Sequence, residues 1–385
     1  MPDSTLLNRA TLIIDQVTAE KPADYVLRGE LGAAKYLEPE EKRDISHAVF
    51  AYYRWFGWLD EKASTQARVA SAIELQRKFD ADPSSVKPET LAARAVPAWV
   101  ASEIDLTPAY LRHLQSPPAL WIRVQKEFAA ALPRTLGNCT PAQSNLLGYS
   151  VFPKNTPATA LAYSGKTDLY KTSEFQKGVF EIQDLASQLV GHAAAPKPGE
   201  TWWDACAGQG GKTLHLAELM ENKGLIWATD RNTGRLAALR KRAARAQVFN
   251  YRANTWNGGP FLPTKTKFDG ILIDAPCSGV GTWQRNPHAR WTTTPDDVKE
   301  LAEIQLQLLN HAAGALKPGG RLVYAVCTLT KSETTAIANA FTAAHPEFEP
   351  SPVFASDPSA NPQFFIQPQE FNSNGMFIAT WKRKN

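Results

Sequence analysis

The sequence predicts a doubly wound α/β sheet preceded by an all-helical region and a small α+β module. Three observations carry this reading. From Thr201 on, short apolar runs alternate with helical stretches, the runs falling about 20 to 50 residues apart. Up to about residue 115 the apolar residues recur at helical spacing. Between these regions, residues 116–177 mix strand-like alternation with many turn residues.

In residues 1–115, Leu6, Ala10, Ile13, Ile14 and Val17 mark one helical face. Pro39 opens a longer helix, because a missing N–H costs nothing in a first turn; Glu40 and Glu41 there meet the positive end of the helix dipole. Its apolar face is Ile45, Val49, Tyr53 and Phe56. Thr90–Ile104 is a further helical stretch broken at Pro97. No catalytic motif stands here, so contact rather than chemistry is the expected role. After the break at Ser116-Pro117-Pro118, residues 119–125 alternate like a strand. Residues 126–172 add a short helical piece, strand-like runs and the turn Phe152-Pro153-Lys154-Asn155-Thr156-Pro157. Arg123, Lys154, Lys166 and Lys171 could face phosphates or simply solvent.

Phe180–Val190 reads as one amphipathic helix, followed by the breaker Pro196-Lys197-Pro198-Gly199-Glu200. The core then runs as strands Thr201–Cys206, Leu225–Thr229, Phe268–Ile273 and Arg321–Val326. Helices Lys212–Glu221, Arg231–Ala246 and Pro295–Leu316 separate them, the last closed by Lys317-Pro318-Gly319-Gly320. Ser332–His345 is helical, and Gly375–Trp381 is a closing strand. In an open parallel sheet such run-ends point into one crevice at the carboxyl edge. Here they bring Cys206, Asp230, Asp274 with Cys277, and Cys327.

At 385 residues the chain is long enough for two or three domains and a sizeable core. Its 43% hydrophobic and 21% charged residues are ordinary for a soluble globular protein. No apolar run approaches the roughly 20 residues of a membrane helix. The first residues lack the basic start and apolar middle of a secretory signal, so the cytoplasm is the expected location. Four cysteines, at 139, 206, 277 and 327, are too scattered for a disulfide scaffold, and no pair has zinc-ligand spacing, so no metal is expected. Cys139 reads as a small buried hydrophobe. A net charge of +4 permits a nucleic-acid partner without requiring one.

Cys206-Ala207-Gly208-Gln209-Gly210-Gly211-Lys212 follows the first core strand. Glycines let a ligand approach the backbone, and the next helix aims its amides at negative charge. The spacing matches neither a Walker loop nor Gly-x-Gly-x-x-Gly. Asp230 ends the next strand, where an acid can hold two ribose hydroxyls or cap a helix. Together they favour an adenosine-type ligand, either a dinucleotide or S-adenosylmethionine. Asp274-Ala275-Pro276-Cys277 fixes an acid and a thiol at a strand end, and Cys327 ends a later strand. A thiolate is a strong nucleophile once positive charge lowers its pKa. Attack on carbon 6 of a pyrimidine makes carbon 5 electron-rich enough to take a methyl group. That chemistry needs an acid near nitrogen 3, a methyl donor and a way to eliminate the thiol.

These residues, with Gln183-Asp184, Ala186-Ser187, Arg285-Asn286-Pro287-His288-Ala289-Arg290-Trp291 and the run from Lys317 to Tyr324, resemble signatures of the NOP/Sun family of RNA cytosine-5 methyltransferases. Within it they resemble the Sun/Fmu-type bacterial enzymes that act on 16S ribosomal RNA. The resemblance is densest from Gly178 to Thr328. It implies a Rossmann-like S-adenosylmethionine-dependent methyltransferase domain over 178–385, an all-helical NusB-like RNA-binding domain over 1–115 and a small α+β RNA-binding module over 116–177. It also implies Cys327 as the nucleophile and Cys277 as the group that helps release the product. Asp274 would hydrogen-bond the cytosine and the donor side, stabilising charge on the ring. Residues Cys206 to Lys212 (Cys206, Ala207, Gly208, Gln209, Gly210, Gly211, Lys212) would wrap the methionine end of S-adenosylmethionine, and Asp230 would hold its ribose. Asn254 stands where an acid near the adenine is usual. Two departures from the pattern are Gly208-Gln209, where Ala-Pro is common, and Val326 and Thr328, where Thr and Ser are usual. Neither removes the nucleophile, and the first could alter donor affinity.

The expected partner is RNA, ribosomal first and transfer RNA second, bound by a monomer with no membrane involvement. Arg231, Arg235, Arg240, Lys241, Arg242 and Arg245 crowd one helix with no acid between them. Arg285, His288, Arg290 and Trp291 follow the Cys277 loop directly, and such basic side chains with an aromatic suit phosphates and a stacked base. The target base has to leave its stack to reach a thiol in a crevice. Two rival classes stay open: a dehydrogenase on a similar sheet, which would give Cys277 and Cys327 no task, and a catalytically idle RNA-binding ribosome-assembly factor.

Overall fold

The structure, a computed structural model, describes residues 4–18, 20–142, 145–146, 149–150, 158–354 and 361–385. The expected turn at 152–157, with Lys154, lies outside the described residues. Packing divides the chain into two units, Met1–Pro118 with Gly279–Asp297, and Ala119–Ser278 with Val298–Asn385.

Helices Ser4–Asp15, Ala23–Ala33, Pro39–Arg54, Thr65–Ala81, Pro88–Arg94, Val100–Glu103 and Pro108–His113 build the first unit. Proline starts three of them, and the helix from Pro39 has a capping box in which Glu38 and Glu41 satisfy each other's backbone amides. Ala10, Ile13, Ile45, Val49, Val69 and Ala72 meet in its core. Residues 279–297 pack inside this unit and hold its helix ends. Arg290 is fully buried and donates to Arg54 O at 3.3 Å, Ala95 O at 3.0 Å and Leu114 O at 2.9 Å. These carbonyls close three different helices, where carbonyls lack intrahelical partners and the dipole is negative, so one cation answers all three. Trp291 Nε1 donates to Tyr53 O at 2.6 Å, and His288 lies edge-on to the Tyr53 ring. The expectation that His288, Arg290 and Trp291 face phosphates and a stacked base is therefore corrected; of that group Arg285 is the exposed one.

The second unit opens on strands β1 (Leu120–Val124), β2 (Cys139–Pro141), β3 (Asn145–Leu146), β4 (Tyr149–Ser150), β5 (Ala160–Tyr163) and β6 (Phe180–Ile182). An antiparallel sheet runs β2-β5-β1-β6, and β3 pairs with β4. The single helix expected over Phe180–Val190 is corrected: Phe180–Ile182 pairs with β1, and the helix begins at Leu185, where Asp184 caps the Ala186 amide. Arg123 does not face phosphates either. It is buried, with Nε on Gln183 Oε1 at 2.6 Å and an ion pair to Glu218.

The main sheet comprises β7 (Thr201–Asp204), β8 (Leu225–Asp230), β9 (Tyr251–Thr255), β10 (Phe268–Asp274), β11 (Leu316–Val326), β12 (Phe348–Pro350), β13 (Gln363–Ile366) and β14 (Met376–Arg383). Its order is β12-β14-β11-β10-β7-β8-β9, with β13 also on β14. Strands β11, β10, β7, β8 and β9 are parallel, and β14 runs against β11. The chain moves outward from β7 to β9, then returns to the other flank of β7 for β10. That reversal is the topological switch, and it opens a crevice at the carboxyl ends of β7 and β10. The helix from Pro295 stops at Ala313, short of the expected Leu316. Strand β11 takes in Lys317–Gly320 because Leu316 already pairs with Phe268. Both faces of the sheet are covered: Trp202, Leu272 and Val323 pack in one layer, Trp203, Ile273 and Tyr324 in the other. No helix among the described residues is long and apolar enough to cross a membrane.

Candidate active site

After β7, Ala205 N bonds Leu272 O and Ala207 N bonds Thr229 O, so the loop keeps contact with both neighbouring strands before it turns. Gly208 (φ +54°) and Gly210 (φ +84°) then take left-handed backbone. A Cβ at Gly210 would fall 2.6 Å from Leu239 Cγ, whereas one at Gly208 would meet nothing within 4 Å. The first glycine is open to a ligand; the second seats the following helix on its neighbour. Asp230 fixes this turn, its Oδ2 accepting from Gly208 N at 3.0 Å and its Oδ1 from Asn232 N at 2.7 Å. The cap of the next helix is Asn232.

A cavity of about 480 Å³ lies over the switch point. Of the residues expected at the site, Cys206, Ala207, Gly208, Gln209, Gly211, Lys212, Asp230, Asp274, Cys277 and Cys327 all line it. Gly210 does not, for the packing reason above. Asn254 does not either: it is exposed within β9, opposite Thr229. Trp256 and Asn257, just past the end of that strand, line the cavity instead, as the crevice lies beyond strand ends.

Lys212 Nζ lies 2.7 Å from Asp274 Oδ2, with the lysine side chain 8% exposed and the aspartate 29%. Burial alone would pull the lysine pKa down, but Asp274 outweighs it and holds the ammonium above the usual lysine value; negative charge at Cys327 acts in the same sense. Asp204, fully buried at the end of β7, accepts from Thr213 Oγ1 at 2.6 Å, and burial pushes its carboxyl up to about 7. Its Oδ1 has no hydrogen-bond partner among the described residues. Burial, then the carboxyls of Asp204, Asp274 and Asp230, push the Cys206 thiol well above the usual value, so this sulfur is a neutral wall of the site.

The sulfurs of Cys277 and Cys327 lie 3.3 Å apart and are not joined as a disulfide. Behind them sits Glu333, fully buried. Its Oε1 accepts from Ser278 N at 2.8 Å and Gln305 Nε2 at 3.0 Å; its Oε2 accepts from the hydroxyls of Ser278, Thr328 and Thr330. Sequence reasoning missed Glu333 and Gln305. The available signal was the hydroxyl-rich run after Cys327, Thr328-Leu329-Thr330-Lys331-Ser332-Glu333, which surrounds one acid with short donors.

Of the basic cluster, Arg231, which precedes the helix, and Arg235, Arg240 and Lys241 on it are exposed, and Arg231 and Arg235 reach the cavity. Arg242 and Arg245 both pair with Glu181 of β6, an acid that the helix's own sequence does not show.

Residues 192–382 match the family model described as 16S rRNA methyltransferase RsmB/F. The probable ribosomal RNA small subunit methyltransferase B of Bacillus subtilis (strain 168) is 38% identical over 222 residues, 55% of this chain and 50% of that protein. The chain spans about half the length of the curated relatives it matches. The crystal structure of PH0851 has the same fold, with a TM-score of 0.80 over 100% of both chains at 24% identity. A methyltransferase homolog protein from Pyrococcus horikoshii aligns with a TM-score of 0.60 at 27% identity, over 72% of this chain and 90% of that one.

Proposed function

Over residues 192–382 the chain belongs to the 16S rRNA methyltransferase RsmB/F family, and from that premise we propose that it is an S-adenosylmethionine-dependent RNA cytosine-5 methyltransferase acting on 16S ribosomal RNA through a covalent cysteine–cytosine adduct. One observation carries the reading: two sulfurs 3.3 Å apart share a cavity with a partly buried ammonium–carboxylate pair. A dehydrogenase needs no such thiols.

The cavity suits the donor. Gly208 offers open backbone in place of a side chain, and Gly211 and Lys212, the first residues of the following helix, line the cavity, so the helix's amino end borders it, which favours a carboxylate. Asp230 keeps lone pairs for ribose hydroxyls after taking its two amides. When bound, S-adenosylmethionine supplies an electrophilic methyl group. Lys212 places positive charge near Cys327, which favours the thiolate. That thiolate adds to carbon 6 of the flipped cytosine, and the electron pair of the carbon 5–carbon 6 bond moves toward carbon 5 and nitrogen 3. Asp274 hydrogen-bonds the ring, and the Lys212 charge beside it offsets the negative charge that develops. Once carbon 5 carries the methyl group, its proton must leave. Cys277, as its thiolate, is the group in place to accept it and becomes a thiol; the carbon 5–carbon 6 double bond then re-forms and Cys327 departs as thiolate.

The test is transfer of labelled methyl to 16S ribosomal RNA, naked and within the small subunit, with bisulfite sequencing to locate the product. A 5-methylcytosine in 16S RNA that disappears with Cys327→Ala is the expected result. Methylation of transfer RNA alone would overturn the substrate, and RNA binding without transfer would favour the assembly-factor reading.

A further inference from the structure

We propose that Glu333 is a positioning residue, clamping the Cys277 loop to the Cys327 loop and so setting the approach of the two thiols. Its purpose rests on the methyl-transfer reading above; its geometry does not. Strands β10 and β11 are neighbours, and Ala275 N to Ala325 O, at 3.0 Å, is the furthest backbone bond between their ends among the described residues. Both cysteines lie two residues beyond it. From there one chain leaves toward Gly279 and the other toward the helix at Thr335. The main-chain ladder therefore brings the strand ends together but stops short of the sulfurs.

Glu333 supplies the missing link. Ser278, next to Cys277, gives it both a backbone amide and a hydroxyl; Thr328, next to Cys327, gives it a second hydroxyl and Thr330 a third. Each hydroxyl has one proton, and all three converge on the same oxygen. This brings Ser278 Oγ and Thr328 Oγ1 within 3.0 Å, one oxygen from each cysteine loop. Gln305 completes the clamp, donating to Glu333 Oε1 at 3.0 Å and to Pro276 O at 2.9 Å. Tyr324 OH lies 2.9 Å from Gln305 Oε1 and 2.6 Å from Glu333 O, so the clamp is anchored on β11 itself. Neither Glu333 nor Gln305 lines the cavity, so any effect on the reaction passes through the cysteines. A buried carboxyl with five donors is worth its desolvation only where their arrangement matters.

The test compares wild type, Glu333→Ala and Glu333→Gln by three measurements: methyl-transfer kcat, the Kd of S-adenosylmethionine, and the rate at which diamide joins Cys277 to Cys327 in the folded protein. Displacement of reacting groups by about 1 Å costs on the order of 100-fold. The expected result for Glu333→Ala is a kcat loss of about that size, donor Kd within about twofold of wild type, and disulfide formation slowed at least about tenfold. Glu333→Gln, which keeps one acceptor oxygen, should fall between. A disulfide rate equal to or above wild type in folded Glu333→Ala overturns the proposal. If that variant does not fold, Ser278→Ala with Thr328→Val removes one tie from each loop and the same two outcomes decide. A wild type that transfers no methyl but shows the disulfide contrast would sink the function and leave the clamp standing.

Discussion

Lys212 and Asp274 meet at 2.7 Å across the switch point, one from the helix after the glycine turn and the other from the end of β10. The pair joins the two walls of the crevice, between the space open at Gly208 and the thiols. In the proposed reaction this ion pair stands beside the ring under attack. Asp274→Asn keeps the volume and removes the charge; kcat should fall about 100-fold or more while the fold persists, by analogy with loss of one stabilising group. Lys212→Met should also slow alkylation of Cys327 by iodoacetamide at neutral pH, read by mass spectrometry of the labelled peptide.

The two thiols should separate by product. Cys327→Ala forms no adduct and transfers no methyl. Cys277→Ala adds to cytosine but cannot complete release, so a slow-migrating protein–RNA species should accumulate on a denaturing gel. Absence of that species, with methyl transfer intact, would remove the division of labour between the sulfurs.

The two left-handed glycines should also part company. Alanine in left-handed backbone costs about 1–2 kcal/mol at either position. Gly210→Ala adds a clash with Leu239 and should lower Tm further than Gly208→Ala. Gly208→Ala should instead weaken S-adenosylmethionine binding, because its methyl group enters open space that lines the cavity. Thermal melts and donor titration check both halves.

Asp204 links stability to pH. Burial holds its folded pKa at about 7, above the ordinary aspartate value of 3.8. Above pH 3.8 the unfolded chain loses this proton while the folded chain keeps it, so the contribution of Asp204 to stability falls as pH rises toward 7. The full change is on the order of 4 kcal/mol, from about 1.4 kcal/mol per pH unit. Asp204→Asn has no such proton. Its stability relative to wild type, measured by urea unfolding, should climb between pH 5 and about 7 and then level off.

Arg290→Met should unfold the helical unit more readily, by about 3 kcal/mol or more, because buried carbonyls at three helix ends lose their donor. Arg285→Ala should leave Tm unchanged, since that side chain is exposed. If Arg290 bound RNA instead, the methionine variant would melt like wild type and lose RNA affinity.

Arg290 also shows where sequence reading fails. Phosphate oxygens and helix-end carbonyls ask the same thing of a guanidinium, and nothing local tells one destination from the other. Glu181 is a similar case: it neutralises Arg242 and Arg245 from a different element. The strand at Phe180–Ile182 was hidden because three residues have no period of their own, and β1 decided their state. Asn254 stays off the cavity lining because a strand's end sets which residue reaches a crevice, and β9 continues one residue past it.

What the sequence determined by itself was the succession of core strands and helices and the residue types at the strand ends. Both are local: apolar period, glycine and proline act within a few residues. Only the tertiary structure decided which ends meet. Cys277 and Cys327 are 50 residues apart in the chain, and their 3.3 Å approach exists because β10 and β11 pair in register and Glu333 ties the loops beyond them. Hydrogen bonds across such separations depend on strand order, which no single stretch of the chain contains.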